Sequence, residues 1–229
     1  DNTASAKHFK LALRHTNELL ARGETDAARR SDRYVERGKL LFLLGDVRLA
    51  MNDFEHAADL APDSVKVYAD PLLLTVSYGH HDEARRIFRR AMAHGDLANS
   101  LKLYFSLWMN ELAQVQGESP DTEATAFLRG YDADDWGRKL ARHARGDLAF
   151  EALLDDAADK GKRAEAFFYE GVRRWRSGDA DRGRELLESV VKTEMMGFFE
   201  YDMAQAFLRR GGPPAQPVRP LPRGVATSD

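Results

Sequence analysis

Residues 31–64, SDRYVERGKLLFLLGDVRLAMNDFEHAADLAPDS, are answered by residues 65–98, VKVYADPLLLTVSYGHHDEARRIFRRAMAHGDLA. Tyr34, Leu40, Gly45, Ala50, Phe54 and Ala57 return 34 positions on as Tyr68, Leu74, Gly79, Ala84, Phe88 and Ala91. A fixed period of this length marks a stacked helix–turn–helix repeat, in which each unit buries its apolar face on the next. Gly45 suits the left-handed residue that closes a helix, and Pro62 cannot continue one. Gly38 and Ala50 are small where two helices must approach closely, and Phe54 fills the gap between units. The recurring residues thus answer steric needs and speak to scaffold, not chemistry.

Outward from this pair, Phe9, Leu13, Leu19 and Leu20 recur at helical intervals from Ala4 to about Ala21, with Gly23 as a stop. Residues 1–30 are therefore expected to cap the stack. The first repeat is read as helix A near Ser31–Leu44 and helix B near Arg48–Leu60. In the second, Pro71 falls inside the expected helix A, so that helix is expected to start late with Asp70 as its cap. Leu101, Tyr104, Phe105, Trp108, Leu112 and Val115 make an apolar helix running to Gln116, after which the template is lost. Short helices are expected at Thr122–Leu128, Asp135–Arg145 and Leu148–Ala158. The pattern returns from Ala164, with Phe167, Gly171, Gly178-Asp179, Gly183, Leu187 and Val190 in the places of Tyr34, Gly38, Gly45-Asp46, Ala50, Phe54 and Ala57.

The resulting fold class is all-α, a right-handed superhelix of stacked antiparallel helix pairs forming an α-α solenoid. It occupies residues 31–210, with clear repeats at 31–64, 65–98 and 164–197, an irregular centre at 99–163 and a capping helix at 198–210. Residues 211–229 hold five of the eight prolines and read as a flexible tail. Within it, Arg219-Pro220-Leu221-Pro222-Arg223 is read as linker in preference to a proline-rich ligand.

Composition narrows the function. The net charge is −3, from 34 basic and 37 acidic residues, which gives no global attraction to nucleic acid or to an anionic membrane. No run approaches the roughly 18 apolar residues of a membrane span. Asp1 opens the chain without an initiator Met, which predicts a trimmed or mature N-terminus. With no cysteine there is neither a disulfide nor a thiol nucleophile.

The repeat length and residue pattern identify the chain as similar to tetratricopeptide repeat proteins. Ala164-Glu165-Ala166-Phe167-Phe168-Tyr169-Glu170-Gly171, then Ser177-Gly178-Asp179, then Phe199-Glu200-Tyr201 with Ala204, resemble the last repeat of the NlpI-like lipoproteins of the bacterial envelope. Trp136, Gly146 and Leu153-Leu154 resemble that family's irregular centre. This resemblance implies a homodimeric adaptor in the bacterial periplasm or cell envelope, rather than the cytoplasm, that docks proteases or peptidoglycan enzymes.

No phosphate-binding Gly-rich loop, Gly-x-Ser-x-Gly elbow or His-Glu-x-x-His pair is present in the sequence. The chain is therefore read as non-catalytic, without cofactor or metal. His80-His81-Asp82-Glu83 is the densest set of potential ligands and is read as a capped turn. Arg85, Arg86, Arg89 and Arg90 form a basic edge interleaved with acids, as on a solvated helix. The expected function is to hold a partner protein or peptide on the concave face lined by the A helices. The residues placed there are Val35, Lys39, Phe42, Leu73, Val76, Tyr104, Leu107, Phe168, Tyr169 and Trp175, with Asn110 on the same face of the third A helix. The alternative is a structural homo-oligomerisation module with no separate client.

Overall fold

A computed structural model describes residues 2–133 and 135–218, with side chains from residue 5 onward. Among the described residues there are twelve α-helices and no strand. They are α1 (Asn2–Ala21), α2 (Ala27–Leu43), α3 (Val47–Leu60), α4 (Lys66–Ser77), α5 (His81–Ala93), α6 (Asn99–Val115), α7 (Thr122–Gly130), α8 (Trp136–Ala144), α9 (Phe150–Asp155), α10 (Lys160–Arg176), α11 (Ala180–Lys192) and α12 (Phe199–Arg210). The protein is all-α, and its helices pack mostly as sequential neighbouring pairs. The described chain divides into two compact units: residues 2–78, 82–97 and 218 form one, and residues 79–81 and 98–217 the other.

In the first unit the most extensive pairing is between α2 and α3. Asp26 starts α2 ahead of the expected Ser31, because its carboxylate accepts the Arg29 N–H at 2.8 Å. The turn closes through Gly45 at φ 90°, with Gly45 N donating to Phe42 O and Asp46 N to Leu41 O, each at 2.9 Å. Gly38 lets the helices cross. A Cβ placed there would lie 2.5 Å from the Phe54 ring and 3.2 Å from the Ala50 carbonyl. Ser31 fixes the same pair at its far end by donating to Ala57 O at 2.9 Å. Arg37 joins α2 to α3 with a two-point fork on the buried Asp53, both bonds 2.7 Å.

The positions echoed in the sequence are buried in both helices. Ala50, Phe54 and Ala57 of α3 and their echoes Ala84, Phe88 and Ala91 of α5 are all core residues. Two ion pairs tie these two helices, Glu55 to Arg86 and Asp59 to Arg90, and just past their ends Asp63 lies 3.0 Å from His94. Each helix contributes at intervals of four residues, so the rungs lie along one edge. Arg90 holds the Asp59 carboxyl below its ordinary range through a hydrogen bond. Exposed pairs of this kind add little stability singly, but set in line they fix register. Two members of the basic edge read from the sequence, Arg86 and Arg90, are thus matched to acids of α3.

The second A helix departs from expectation. It starts at Lys66, not at Asp70, and carries Pro71 in its interior. The missing proline N–H leaves the bond to the Val67 carbonyl unmade. Pro71 is itself buried, so its ring fills core space, and Thr75 donates back to the Pro71 carbonyl at 2.8 Å.

In the second unit α10 and α11 repeat the design of α2 and α3. Gly178 closes the turn at φ 92°, with Asp179 N donating to Arg174 O at 3.0 Å. Gly183 would place a Cβ 2.9 Å from both the Gly171 carbonyl oxygen and the Trp175 nitrogen. Asp159 starts α10 earlier than the expected Ala164 by accepting the Lys162 N–H at 2.9 Å. The same closing geometry ends α6 at Gly117 and α8 at Gly146. Residues 211–218, assigned to a flexible tail, are non-helical, and Pro214 is buried beside Gly79. Residues 219–229, with the Arg219–Arg223 segment, lie outside the described residues.

If the Gly38 crossing sets the first unit's packing, Gly38→Ala lowers stability by about 1–3 kcal/mol despite alanine's better helix propensity. Gly130→Ala, whose Cβ meets nothing within 4 Å, stays within about 0.5 kcal/mol of the wild type. Thermal unfolding of the two variants side by side checks this.

Candidate functional site

Six of the ten residues assigned to the partner face lie in the core of their own unit: Val35, Phe42, Val76, Leu107, Phe168 and Tyr169. An A helix is flanked on more than one side, so apolar residues beyond the repeat positions also find packing partners. Four keep surface. Lys39 reaches Asp70 at 3.1 Å and Leu73 is half-buried. Tyr104 is half-buried and donates its hydroxyl to Glu165 at 2.8 Å. Trp175 lies under the Arg184 guanidinium, 5.4 Å from the ring centroid, and against Gly212, where a Cβ would stand 2.6 Å from the indole.

The second unit has a polar interior that the sequence reading did not pick out. Glu165 of α10 accepts the Tyr104 hydroxyl on Oε1 and the Trp136 indole N–H on Oε2. Glu200 of α12 accepts the Tyr169 hydroxyl at 2.8 Å and the Trp108 indole N–H at 3.1 Å. Each buried carboxyl is therefore held by one phenol and one indole. Burial, reinforced by the neighbouring Glu200 charge, pushes the Glu165 carboxyl up to about 7. Burial likewise raises Glu200, and both tyrosines are raised by burial and by these carboxylates. The signal was present in the sequence. Glu165 precedes Phe168, Tyr169 and Val172 at helical spacing, and Glu200 precedes Met203, Ala204 and Phe207 in the same way.

A second buried group joins α6, α8 and α10. Glu170 is fully buried, accepts the Arg174 Nε–H at 2.5 Å, and lies 3.4 Å from both Arg173 Nε and His143 Nε2. Burial works to raise its carboxyl, but His143, Arg174 and Arg173 together leave it below its ordinary value. His143 Nδ1 stands 3.0 Å from the Leu148 carbonyl, which can only accept, so that nitrogen carries a proton. Glu111 is pushed up to about 7 by burial, against the opposing pull of Arg176 at 3.6 Å.

A cavity of about 590 Å³ opens beside this interior, between α6, α7 and the end of α8. Asn110 and Gln114 line it from α6, and Thr125, Leu128 and Arg129 from α7. Arg145 forms a wall already committed elsewhere. It donates to the Leu128 and Arg129 carbonyls at 2.9 and 3.2 Å and pairs with Asp147 at 2.8 Å.

Of the His80–Glu83 set, residues 81–83 form the first turn of α5, and His81 Nδ1 stands 2.7 Å from Glu118 Oε2. A different trio, Asp63, His94 and Asp96, brings potential metal-ligand atoms within 4.8 Å of one another on the first unit. Its His94 is already bonded to Asp63 and stacked on Tyr68.

No protein-family model matches the chain.

The raised carboxyls have a consequence for stability. A carboxyl whose folded value exceeds its unfolded one holds its proton more tightly when folded. The stability it lends is complete below about pH 4.5 and is lost as pH rises through about 7. The second unit is therefore expected to unfold at a lower temperature at pH 8 than at pH 5, Glu165 accounting for on the order of 1–3 kcal/mol of the difference. Glu165→Gln flattens that part of the profile. Its amide can donate to Tyr104, whose hydroxyl reverses to acceptor, while its carbonyl still accepts from Trp136. Thermal melts from pH 5 to 8 with both proteins test this.

Proposed function

We propose that the chain is a non-catalytic scaffold of the tetratricopeptide type, whose helix pairs continue as a right-handed solenoid and hold a partner protein or peptide against the A helices α2, α4, α6 and α10. The observation that carries this reading is the reuse of one helix-pair design. The pair 27–60 and the pair 160–192 share the Gly-Asp turn, the small-residue crossing and the core positions that follow it. Repetition of a packing unit without repetition of polar side chains is how binding scaffolds build extended surfaces.

Lys39, Leu73, Tyr104 and Trp175 are the residues of the original partner face that retain surface, so contact with a partner is assigned to them. The envelope-adaptor form of the proposal is supported by the likeness of Ala164–Ala204 to the NlpI-like lipoproteins. No helix among the described residues is long and apolar enough to cross a membrane.

The test is site-specific photo-crosslinking with benzoylphenylalanine in place of Leu73, and in place of exposed Glu188 on α11 as control. In cells that make the protein naturally, a discrete adduct of one mass is expected at position 73 and not at 188. Adducts of equal pattern at both positions, or none at 73, count against the A-helix face.

A further inference from the structure

Folded proteins rarely leave buried polar groups unmatched, and the cavity on α6 and α7 holds one, the Thr125 hydroxyl, beside the carboxamides of Asn110 and Gln114. Asn110 is 5% exposed, lines the cavity, and receives no hydrogen bond on its carboxamide among the described residues. The Thr125 hydroxyl is buried and also without a partner. Gln114, one turn beyond Asn110, adds a second carboxamide with no partner among the described residues. At the rim the Arg129 guanidinium is exposed and pairs with no described acid, whereas Arg145 beside it is neutralised by Asp147. Leu128, Pro120 and Ala144 supply an apolar wall.

We propose that this cavity binds a small carboxylate that carries a neighbouring amide, the chemistry shared by an N-acyl amino acid and the C-terminal end of a polypeptide. A carboxamide offers one donor and one acceptor in a plane and pairs at two points with another amide. Asn110 and Gln114 supply two such groups along one helix face, and Thr125 can complete either role. Arg129 is a single uncompensated cation, which matches one carboxylate rather than a multiply charged phosphate. The apolar wall takes a small aliphatic side chain. A volume of about 590 Å³ lies within the range of small-ligand pockets. This goes beyond the scaffold reading and does not depend on it. Loss of the Leu73 contact leaves the cavity untouched.

The experiment is an NMR titration of the full chain, following the side-chain amide resonances of Asn110, which Asn110→Asp identifies by removing them. The probes are N-acetyl-alanyl-alanine, its C-terminal amide, sodium acetate, and an octapeptide ending in Ala-Ala with a free carboxylate. N-acetyl-alanyl-alanine is expected to shift the Asn110 resonances in saturable fashion, and Arg129→Gln, at an exposed position, to weaken it about tenfold. Binding of the octapeptide as well assigns the site to polypeptide ends; binding of the dipeptide alone assigns it to free acyl amino acids. Thr125→Val is expected to raise the melting temperature of the ligand-free protein while weakening the probe, because the hydroxyl it removes is unmatched until ligand arrives. No shift at about 10 mM probe, roughly tenfold beyond a weak millimolar site, overturns the proposal. So does an equal response to acetate or to the C-terminal amide, an Arg129→Gln variant that binds as well as the wild type, or a Thr125→Val variant that melts lower and binds unchanged.

Discussion

The close approach of helix backbones within a pair is the constraint on which the structure depends. At Gly183 a single added carbon would stand 2.9 Å from two backbone atoms of α10, and at Gly38 it would meet the buried Phe54 ring. Interiors of this density cannot give way by several tenths of an ångström without losing contacts elsewhere. Once the crossing is fixed, the closing glycines, the position of Phe54 or Leu187 and the burial of the following small residue are determined together. That is why these positions recur and the rest of each unit varies freely.

What varies has been put to different uses in the two units. The first is stitched by charge between helices, with the Arg37–Asp53 fork inside the α2–α3 pair and the Glu55 and Asp59 rungs from α3 to α5. The second carries its charge within. Glu165 and Glu200 are bound by phenols and indoles, and Glu170 collects two arginines and a histidine. Buried groups of this kind are costly unless every partner is in place, so they specify one arrangement of α6, α8, α10 and α12 more than they strengthen it.

The scaffold was largely legible in the sequence because it rests on residue size and helix-ending chemistry. Gly45-Asp46 and Gly178-Asp179 announced their turns and with them the pairs α2–α3 and α10–α11. Helix starts were less legible. Asp26 and Asp159 cap α2 and α10 several residues ahead of the apolar pattern, while Pro71 suggested a boundary that buried packing overrides. The surroundings of the residues assigned to a partner face were the least legible. Tyr104 and Tyr169 look like exposed anchors by residue type, yet their hydroxyls serve Glu165 and Glu200 on other helices. Such pairings span 61 and 31 residues, and no local pattern encodes a partner at those separations. A glutamate sitting on an apolar stripe was the available clue.

Backbone crossings thus hold the helix pairs in register, and the residues between them are free to vary. Hydrogen exchange of the wild type and of Gly183→Ala, resolved by helix, tests the central claim most directly. If the α10–α11 crossing governs the second unit, the variant loses amide protection across both helices, Lys160–Arg176 and Ala180–Lys192, and not merely at the substituted turn. Protection equal to the wild type in both helices would contradict the claim that backbone contact at this crossing holds the pair together.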